Sequence, residues 1–315
     1  MPHPPQIAVS ALSFSKNKIL VRELGQDFQN PRFNTTGRTL SEPELLDMLQ
    51  GADAAIVGTE PITETLLAQL PQLKFLSKYG VGMDNIDLDA CKKHNIAVGW
   101  TGGVNKTAVA EMTLAFMISL CRNLFLTSQQ LKTGIWNKNG GVQLGGKTVG
   151  IIGAGYIGQE LIRLLAPFHC RILINDIIDQ SEYIALVGAT AVSKDVLFRE
   201  SDIVTIHTPL TPETHHLITA DTMALMKPTA FLINTARGRI VDLNSLKIAL
   251  KNGIIAGAAL DTYEHEPPTD FELFQLPNLI CTPHIGGNSV EAVLAMGRCA
   301  IGHLREYFNF VSLST

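Results

Sequence analysis

Three residues late in the sequence carry side chains that could share one reaction: Arg237 in NTARGR, Glu266 in DTYEHEPP and His284 in TPHIGG. A guanidinium can grip a carboxylate with two hydrogen bonds and polarise a carbonyl beside it. An imidazole titrating near neutrality suits proton exchange with a substrate hydroxyl. Taken singly, Arg237 reads as a surface ion, Glu266 as a solvated loop acid and His284 as a satisfied core histidine. Only the three together suggest catalysis.

A second constellation lies upstream. Gly153, Gly155 and Gly158 form GxGxxG between the apolar run TVGII and the amphipathic segment YIGQELIRLLAPF. Glycines there permit a tight turn and let a pyrophosphate approach backbone amides at the positive end of a helix. A lone GxGxxG is weak, but here a strand precedes it, a helix follows, and Asp176 ends the next apolar run, where a carboxylate can accept both ribose hydroxyls. That carboxylate would repel a 2′-phosphate, and no Arg follows it in IIDQ. NAD is therefore expected over NADP.

Stepping from these residues to the elements that must hold them, short apolar runs alternate with amphipathic segments along nearly the whole chain, the pattern of parallel strands joined by crossover helices. In the first hundred residues QIAVSAL, AAIVGTE, KFLSKYG and IAVGW read as strands, and residues 41–49 as a helix with capping-box spacing between Ser41 and Glu44. Residues 106–127 (KTAVAEMTLAFMISLCRNLFLT) read as one helix, apolar on several sides and thus core or interface. After the Gly-rich stretch TGIWNKNGGVQLGGK comes a second strand series: TVGIIG, RILIND, DIVTIHTPL, FLINTAR, IAGAALD and NLICTPH. Each run ends in a chemistry-bearing or glycine residue: Gly153, Asp176, Thr208, Arg237, Asp261, His284. In a doubly wound sheet the carboxyl ends of the strands line the ligand crevice, so six strands point their chemistry at one edge. A final helix, SVEAVLAMGRCAIGHLREYF, closes the chain.

The ordered runs GIIGAGYIG, HTPLTPET, NTARGRIVDLNSL, GAALDTYEHEPP and TPHIGG make the sequence resemble the D-isomer-specific 2-hydroxyacid dehydrogenase family from about Gly80 to Gly287. The resemblance implies two doubly wound α/β domains: a Rossmann NAD-binding domain (102–287) inserted into a flavodoxin-like substrate domain (1–101 and 288–315). It implies hydride transfer between NAD(H) and C2 of a small D-2-hydroxy or 2-oxo acid, such as 3-phosphoglycerate, hydroxypyruvate or glyoxylate. Arg237, Glu266 and His284 become the catalytic residues. Glu266 would bond one imidazole nitrogen while His284 exchanges the proton. The cofactor contacts become Gly153, Gly155, Tyr156, Ile157, Gly158, Asp176, Thr208, Thr235, Ala236 and Asp261, the last as an acceptor for the carboxamide.

In the first domain KYGVGMDNIDL resembles the family's substrate loop, so Val81 and Gly82 would offer amides to the substrate carboxylate. Lys78 stands where phosphoglycerate dehydrogenases often have a basic residue; a solvated lysine and a reader of a substrate phosphate are both open. Asn105, in GGVNKTAVAE, falls where the family places an Asn near the substrate, and it is equally placed to cap the helix from Lys106. By resemblance the cleft between domains closes over substrate, and two subunits pair as a homodimer through the long helix. The family often has a proline in the segment written here as GWTGGVN. With the sequence ending at Thr315, no serine-sensing regulatory domain is expected. The corepressors called C-terminal binding proteins share this fold and the catalytic triad, so a dinucleotide-sensing interaction protein is the alternative reading.

A net charge of -4 and a pI near 6.1 leave no basic field for nucleic acid. No secretory leader or membrane-length apolar stretch is visible, so a cytoplasmic protein without membrane contact is expected. Five widely spaced cysteines without a CxxC pair read as reduced, mostly core residues. His215 and His216 lack a carboxylate or Cys spaced to complete a metal site, and they read as surface residues at a helix start.

Overall fold

Short apolar runs with no alternating polar face belong in parallel sheets covered on both sides by helices, and that is where this chain puts them. The computed structural model describes residues 4–308. The chain divides into two compact units, one of residues 1–105 with 288–315 and the other of residues 106–287. The first passage between them falls after Asn105, beyond the 101/102 boundary expected from sequence.

The first unit holds a five-stranded sheet of β1 (Ile7–Val9), β2 (Arg32–Phe33), β3 (Ala54–Val57), β4 (Phe75–Lys78) and β5 (Ala97–Gly99) in the order β2-β1-β3-β4-β5. Every ladder is parallel, and the order is the flavodoxin-like one. Ile7, Val9, Ile56 and Phe75 pack beneath the helices Lys18–Asp27 and Val290–Tyr307; Ala8, Val57 and Leu76 face Leu45, Leu49, Leu66 and Leu67 on the other side. The helix Glu42–Leu49 starts as its spacing predicts, the Glu44 carboxylate accepting from the Ser41 N–H at 2.9 Å. The closing helix Val290–Tyr307 is capped by Ser289, whose Oγ accepts from Ala292 N–H at 3.1 Å.

The second unit holds seven parallel strands: β6 (Thr148–Ile152), β7 (Arg171–Asn175), β8 (Thr190–Ala191), β9 (Ile203–Ile206), β10 (Phe231–Asn234), β11 (Gly257–Leu260) and β12 (Leu279–Cys281). Their order, β12-β11-β10-β9-β6-β7-β8, is the Rossmann winding with one further strand, and it reverses between β6 and β9. Ligands of such sheets bind outside the carboxyl ends at that reversal. The residues following β6 and β9 are Gly153 and His207-Thr208.

Three sequence expectations change. Residues 106–127 are not one helix: Lys106–Cys121 and Leu124–Lys132 meet at 66°, because Asn123 takes the left-handed conformation (φ +50°) and ends the first run. Cys91 and Cys121 are buried, while Cys170, Cys281 and Cys299 are half-buried; all five are free. His215 and His216 lie in a turn ahead of the helix Ala220–Ala224, not at its start, with Nε2 of His216 3.4 Å from Glu264. Among the described residues no group of His, Cys, Asp or Glu is arranged to hold a metal, and no single helix is long and apolar enough to cross a membrane.

Candidate active site

The glycine loop turns immediately after β6. Gly153 has φ +92°, and a Cβ there would lie 2.8 Å from the His207 carbonyl oxygen. At Gly158 a Cβ would lie 2.3 Å from the Gly153 oxygen, so the helix Tyr156–Leu165 can approach its own turn only through glycine. Gly155 differs, since a Cβ there would meet nothing within 4 Å. It faces open space at the helix start. The N–H groups of Gly155, Tyr156 and Ile157 donate to no other group among the described residues, as expected of a helix N-terminus left for an anion. Thr208 borders the same turn, its Oγ1 buried without a hydrogen-bond partner.

Asp176 follows β7 and bends back to the turn, where its two carboxylate oxygens accept from the Ala154 N–H at 2.7 Å and the Ile178 N–H at 2.9 Å. Each oxygen keeps a lone pair for a ribose hydroxyl. The side chain thus shapes the glycine loop as well as offering a ligand contact. These features fit a dinucleotide: open space at Gly155, unspent amides, a hydroxyl buried without a partner among the described residues and a carboxylate at the next strand end.

The second cluster forms at the ends of β10, β11 and β12. Asn234, fully buried at the end of β10, holds residues 234–237 in place: its Oδ1 accepts from Ala236 N–H at 3.0 Å and its Nδ2 donates to the Arg237 carbonyl at 2.9 Å. Arg237 Nη1 donates to the Ala236 carbonyl at 2.8 Å. Thr235 is 7% exposed, with its Oγ1 3.0 Å from Thr113 Oγ1. Because Thr113 gives its proton to the Val109 carbonyl, Thr235 must be the donor between the two hydroxyls. It can offer a ligand only a lone pair. Gly238 lies against the backbone of Tyr263, where a Cβ would come within 1.9 Å of the carbonyl carbon, so the arginine loop and the DTYEHEPP loop touch.

Glu266 closes onto its own loop, Oε1 accepting from the Tyr263 N–H at 3.1 Å, and onto His284, whose Nδ1 lies 2.8 Å from Oε2 and 3.0 Å from Oε1. Nδ1 is committed to the carboxylate, leaving Nε2 as the nitrogen that can exchange a proton. The hydrogen bond to Glu266 raises the His284 pKa above its ordinary value; burial and the Arg237 charge oppose this, and the charges of Glu266 and Asp261 add to it. For Glu266 burial works upward, but the hydrogen bond and charge of His284, the Tyr263 N–H and Arg237 together hold the carboxyl below its usual range. Both shifts stabilise an imidazolium beside a carboxylate.

His284 sits at φ +53°, a conformation that disfavours a residue with a Cβ. What holds it is Asp261, buried at the end of β11. Its Oδ1 accepts from Thr282 Oγ1 at 2.6 Å and Ile285 N–H at 2.8 Å, and its Oδ2 from Gly286 N–H at 2.8 Å. Tyr263 OH adds a bond to the Thr282 carbonyl at 2.9 Å. Asp261 was expected to meet the cofactor; the structure shows it clamping the turn on both sides of His284. That role, like Asn234's, depends on backbone partners that no motif displays, although a lone Asn inside the run FLIN was a visible signal.

In the first unit, the amides of Val81 and Gly82 donate to nothing among the described residues. Lys78 is not a solvated side chain: it is 4% exposed, and its Nζ bonds the Gly58 carbonyl and Asn85 Oδ1, the latter at 2.6 Å. Two of the three ammonium donors thus tie together two loops of its own unit. Asn105 does not act as the helix cap, since its Oδ1, the atom that would accept, is buried with no partner among the described residues.

The model of the D-isomer specific 2-hydroxyacid dehydrogenase NAD binding domain matches residues 114–286. Glyoxylate reductase of Thermococcus litoralis is 39% identical over 258 residues, covering 79% of this chain and 78% of that protein. The chain belongs to the D-isomer specific 2-hydroxyacid dehydrogenase family. D-3-phosphoglycerate dehydrogenase of Methanocaldococcus jannaschii is 38% identical over 263 residues, 82% of this chain but 50% of that longer protein. The crystal structure of D-lactate dehydrogenase from Aquifex aeolicus, complexed with NAD and lactic acid, superposes with a TM-score of 0.85 at 28% identity, covering 96% of this chain and 95% of that one. The enzyme is thus an NAD-linked oxidoreductase acting on the 2-hydroxy acid and 2-oxo acid pair. Nothing favours the corepressor alternative.

Proposed function

We propose that this dehydrogenase reduces a small, unphosphorylated 2-oxo acid of the glyoxylate or hydroxypyruvate kind, with His284 as the proton donor, Glu266 as its partner and Arg237 as the carbonyl-polarising cation. The observation that carries the assignment is the His284–Glu266 pair at 2.8 Å, with its imidazole pKa raised. When bound, the nicotinamide supplies the hydride to C2. The chain's residues meet the negative charge that then grows on the substrate oxygen: Nε2 of His284 gives up its proton, and the Arg237 guanidinium lowers the energy of the oxyanion before the transfer is complete. Glu266 keeps the imidazolium populated and fixes the ring. Oxidation runs the same steps in reverse, with neutral imidazole as the base.

The substrate carboxylate is assigned to the Val81 and Gly82 amides, which donate to nothing among the described residues. The buried, unpaired Asn105 Oδ1 is assigned to the substrate's edge. The choice of an unphosphorylated acid is supported by the likeness to glyoxylate reductases and by the burial of Lys78, two of whose donors bond Gly58 and Asn85. Gly153, Gly155, Tyr156, Ile157 and Gly158 would hold the pyrophosphate, Asp176 the ribose, and Thr208, Thr235, Ala236 and Asp261 the nicotinamide half. A panel of 2-oxo acids assayed with NADH and NADPH tests this: the reading expects glyoxylate or hydroxypyruvate with NADH to lead, and it fails if 3-phosphohydroxypyruvate or NADPH does.

A homodimer is part of the same proposal. Leu124, Phe125, Leu131, Ile135, Trp136 and Val142 lie exposed on the helix Leu124–Lys132 and the segment after it, apolar side chains that pairing of two chains would cover. Sedimentation at micromolar concentration should give twice the chain mass, and a monomer there would refute it.

A further inference from the structure

The segment GWTGGVN, where the family often has a proline, places an indole against the substrate loop. Trp100 Nε1–H donates to the Val81 carbonyl at 2.9 Å. We propose that Trp100 is a positioning residue for substrate binding, which by holding the Val81 carbonyl aims the Gly82 amide at the substrate carboxylate. This rests on the assignment of the Val81 and Gly82 amides to that carboxylate.

The geometry of a peptide unit carries the inference. Among the described residues the peptide bonds are trans except Glu266–Pro267, and in a trans unit the carbonyl and the following N–H point in opposite directions on one rigid plane. The Val81 carbonyl and the Gly82 N–H share such a plane. A donor that fixes the first from one side fixes the second toward the other. The Tyr79 N–H bond to the Val57 carbonyl at 2.9 Å and the Ile86 N–H bond to the Met83 carbonyl at 3.1 Å hold the loop on either side of this peptide, and between Tyr79 and Val81 the chain passes through Gly80 at φ +111°.

Trp100 can serve as a fixed post because both its neighbours are anchored. At Gly99 an added Cβ would lie 2.6 Å from His303 Cβ and 2.7 Å from the Phe75 ring, so the backbone there is pressed against the helix Val290–Tyr307. At Thr101 the hydroxyl lies 2.8 Å from His303 Nε2. The indole itself is 45% exposed. A side chain this open contributes little to the core, so its polar atom is the part with a defined task.

Trp100→Phe keeps an aromatic ring and removes the donor. The loss of one neutral hydrogen bond corresponds to about a fivefold rise in KM for glyoxylate, while kcat and NADH affinity stay near wild type. The loop residues Val81 and Gly82 and the nucleotide residues belong to different units, so the split between KM and cofactor affinity is one that general destabilisation would not produce. The companion measurement is a titration of the ¹⁵N-labelled wild-type enzyme, NADH-bound, with oxamate as an unreactive carboxylate probe. The Gly82 amide and the Trp100 indole N–H should both shift, and in Trp100→Phe the Gly82 shift should shrink. If Gly82 shifts equally in both proteins and KM is unchanged, Trp100 does not position the loop and the carboxylate assignment stands. If Gly82 does not respond to oxamate in the wild type, the carboxylate assignment falls and takes the proposal with it. Should Trp100→Phe prove too unstable to assay, the wild-type titration decides: an unmoved indole N–H beside a moving Gly82 amide overturns the proposal.

Discussion

Replacing Glu266 by glutamine keeps an accepting oxygen for the His284 Nδ1–H and removes only the charge. That charge lies 2.8 Å from Nδ1, and the hydrogen bond to it is what most raises the imidazole pKa. Reduction needs the imidazolium, so reductive kcat/KM falls as pH rises through the raised pKa. Oxidation needs the neutral ring, so oxidative kcat/KM rises over the same range. Without the charge the pKa drops, and both limbs must move to lower pH. A hydrogen bond to a charged group is worth about 1.5 to 3 kcal/mol and a neutral one about 0.5 to 1.5. Because the two side chains are 42% and 39% exposed, solvent screening favours the low end of the difference, about 1 kcal/mol. That corresponds to about a fivefold loss of imidazolium, and hence of reductive kcat/KM, at pH values on the alkaline limb. On the acid plateau, where the ring is protonated in both proteins, the two should differ far less. Initial rates of NADH oxidation with glyoxylate across the pH range read this directly. An alkaline limb that stays in place in Glu266→Gln would show that the proton comes from another group.

Four further outcomes follow from the same structure. His284→Ala should lose about 10²- to 10⁴-fold in kcat at every pH, while NADH affinity by fluorescence titration changes little. Asp261→Asn should lower kcat and thermal stability together, since its carboxylate holds the turn around a left-handed His284; unchanged kcat would refute the clamp. Gly158→Ala should abolish NADH binding or folding, its Cβ falling 2.3 Å from the Gly153 oxygen, as isothermal titration and circular dichroism would show. Lys78→Ala should cost about 1 to 3 kcal/mol in urea denaturation, and it should change the ratio of hydroxypyruvate to 3-phosphohydroxypyruvate turnover little.

The parts of the fold that were legible in the sequence are those set by burial. β3 and β9 lie inside the expected runs AAIVGTE and DIVTIHTPL because a strand covered on both faces must be apolar at every position. β2 and β8 were not anticipated: each is a two-residue edge strand, Arg32–Phe33 and Thr190–Ala191, and pairing on one side only leaves no apolar signature. The break at Asn123 escaped for a related reason, since the hydrophobic pattern runs on through it and only the backbone conformation of one residue ends the helix. Within the site, the glycines could be read from residue type and order, and the pairing of Glu266 with His284 from the family resemblance. The clamps made by Asn234 and Asp261, the burial of Lys78 and the Trp100–Val81 contact could not, because each includes a bond to a backbone atom whose direction the fold decides.

In the proposed reaction a hydride passes from NADH to C2 of a 2-oxo acid and His284 delivers the proton. Its most direct test is turnover of glyoxylate and hydroxypyruvate with NADH deuterated at C4, followed by mass and chiral analysis of the product, for the wild type and His284→Ala. Deuterium at C2, a D-configured product from hydroxypyruvate and near-complete loss in His284→Ala are the predicted results. Wild-type enzyme that oxidises no NADH with any 2-oxo acid, or a His284→Ala variant that turns over normally, would contradict the account.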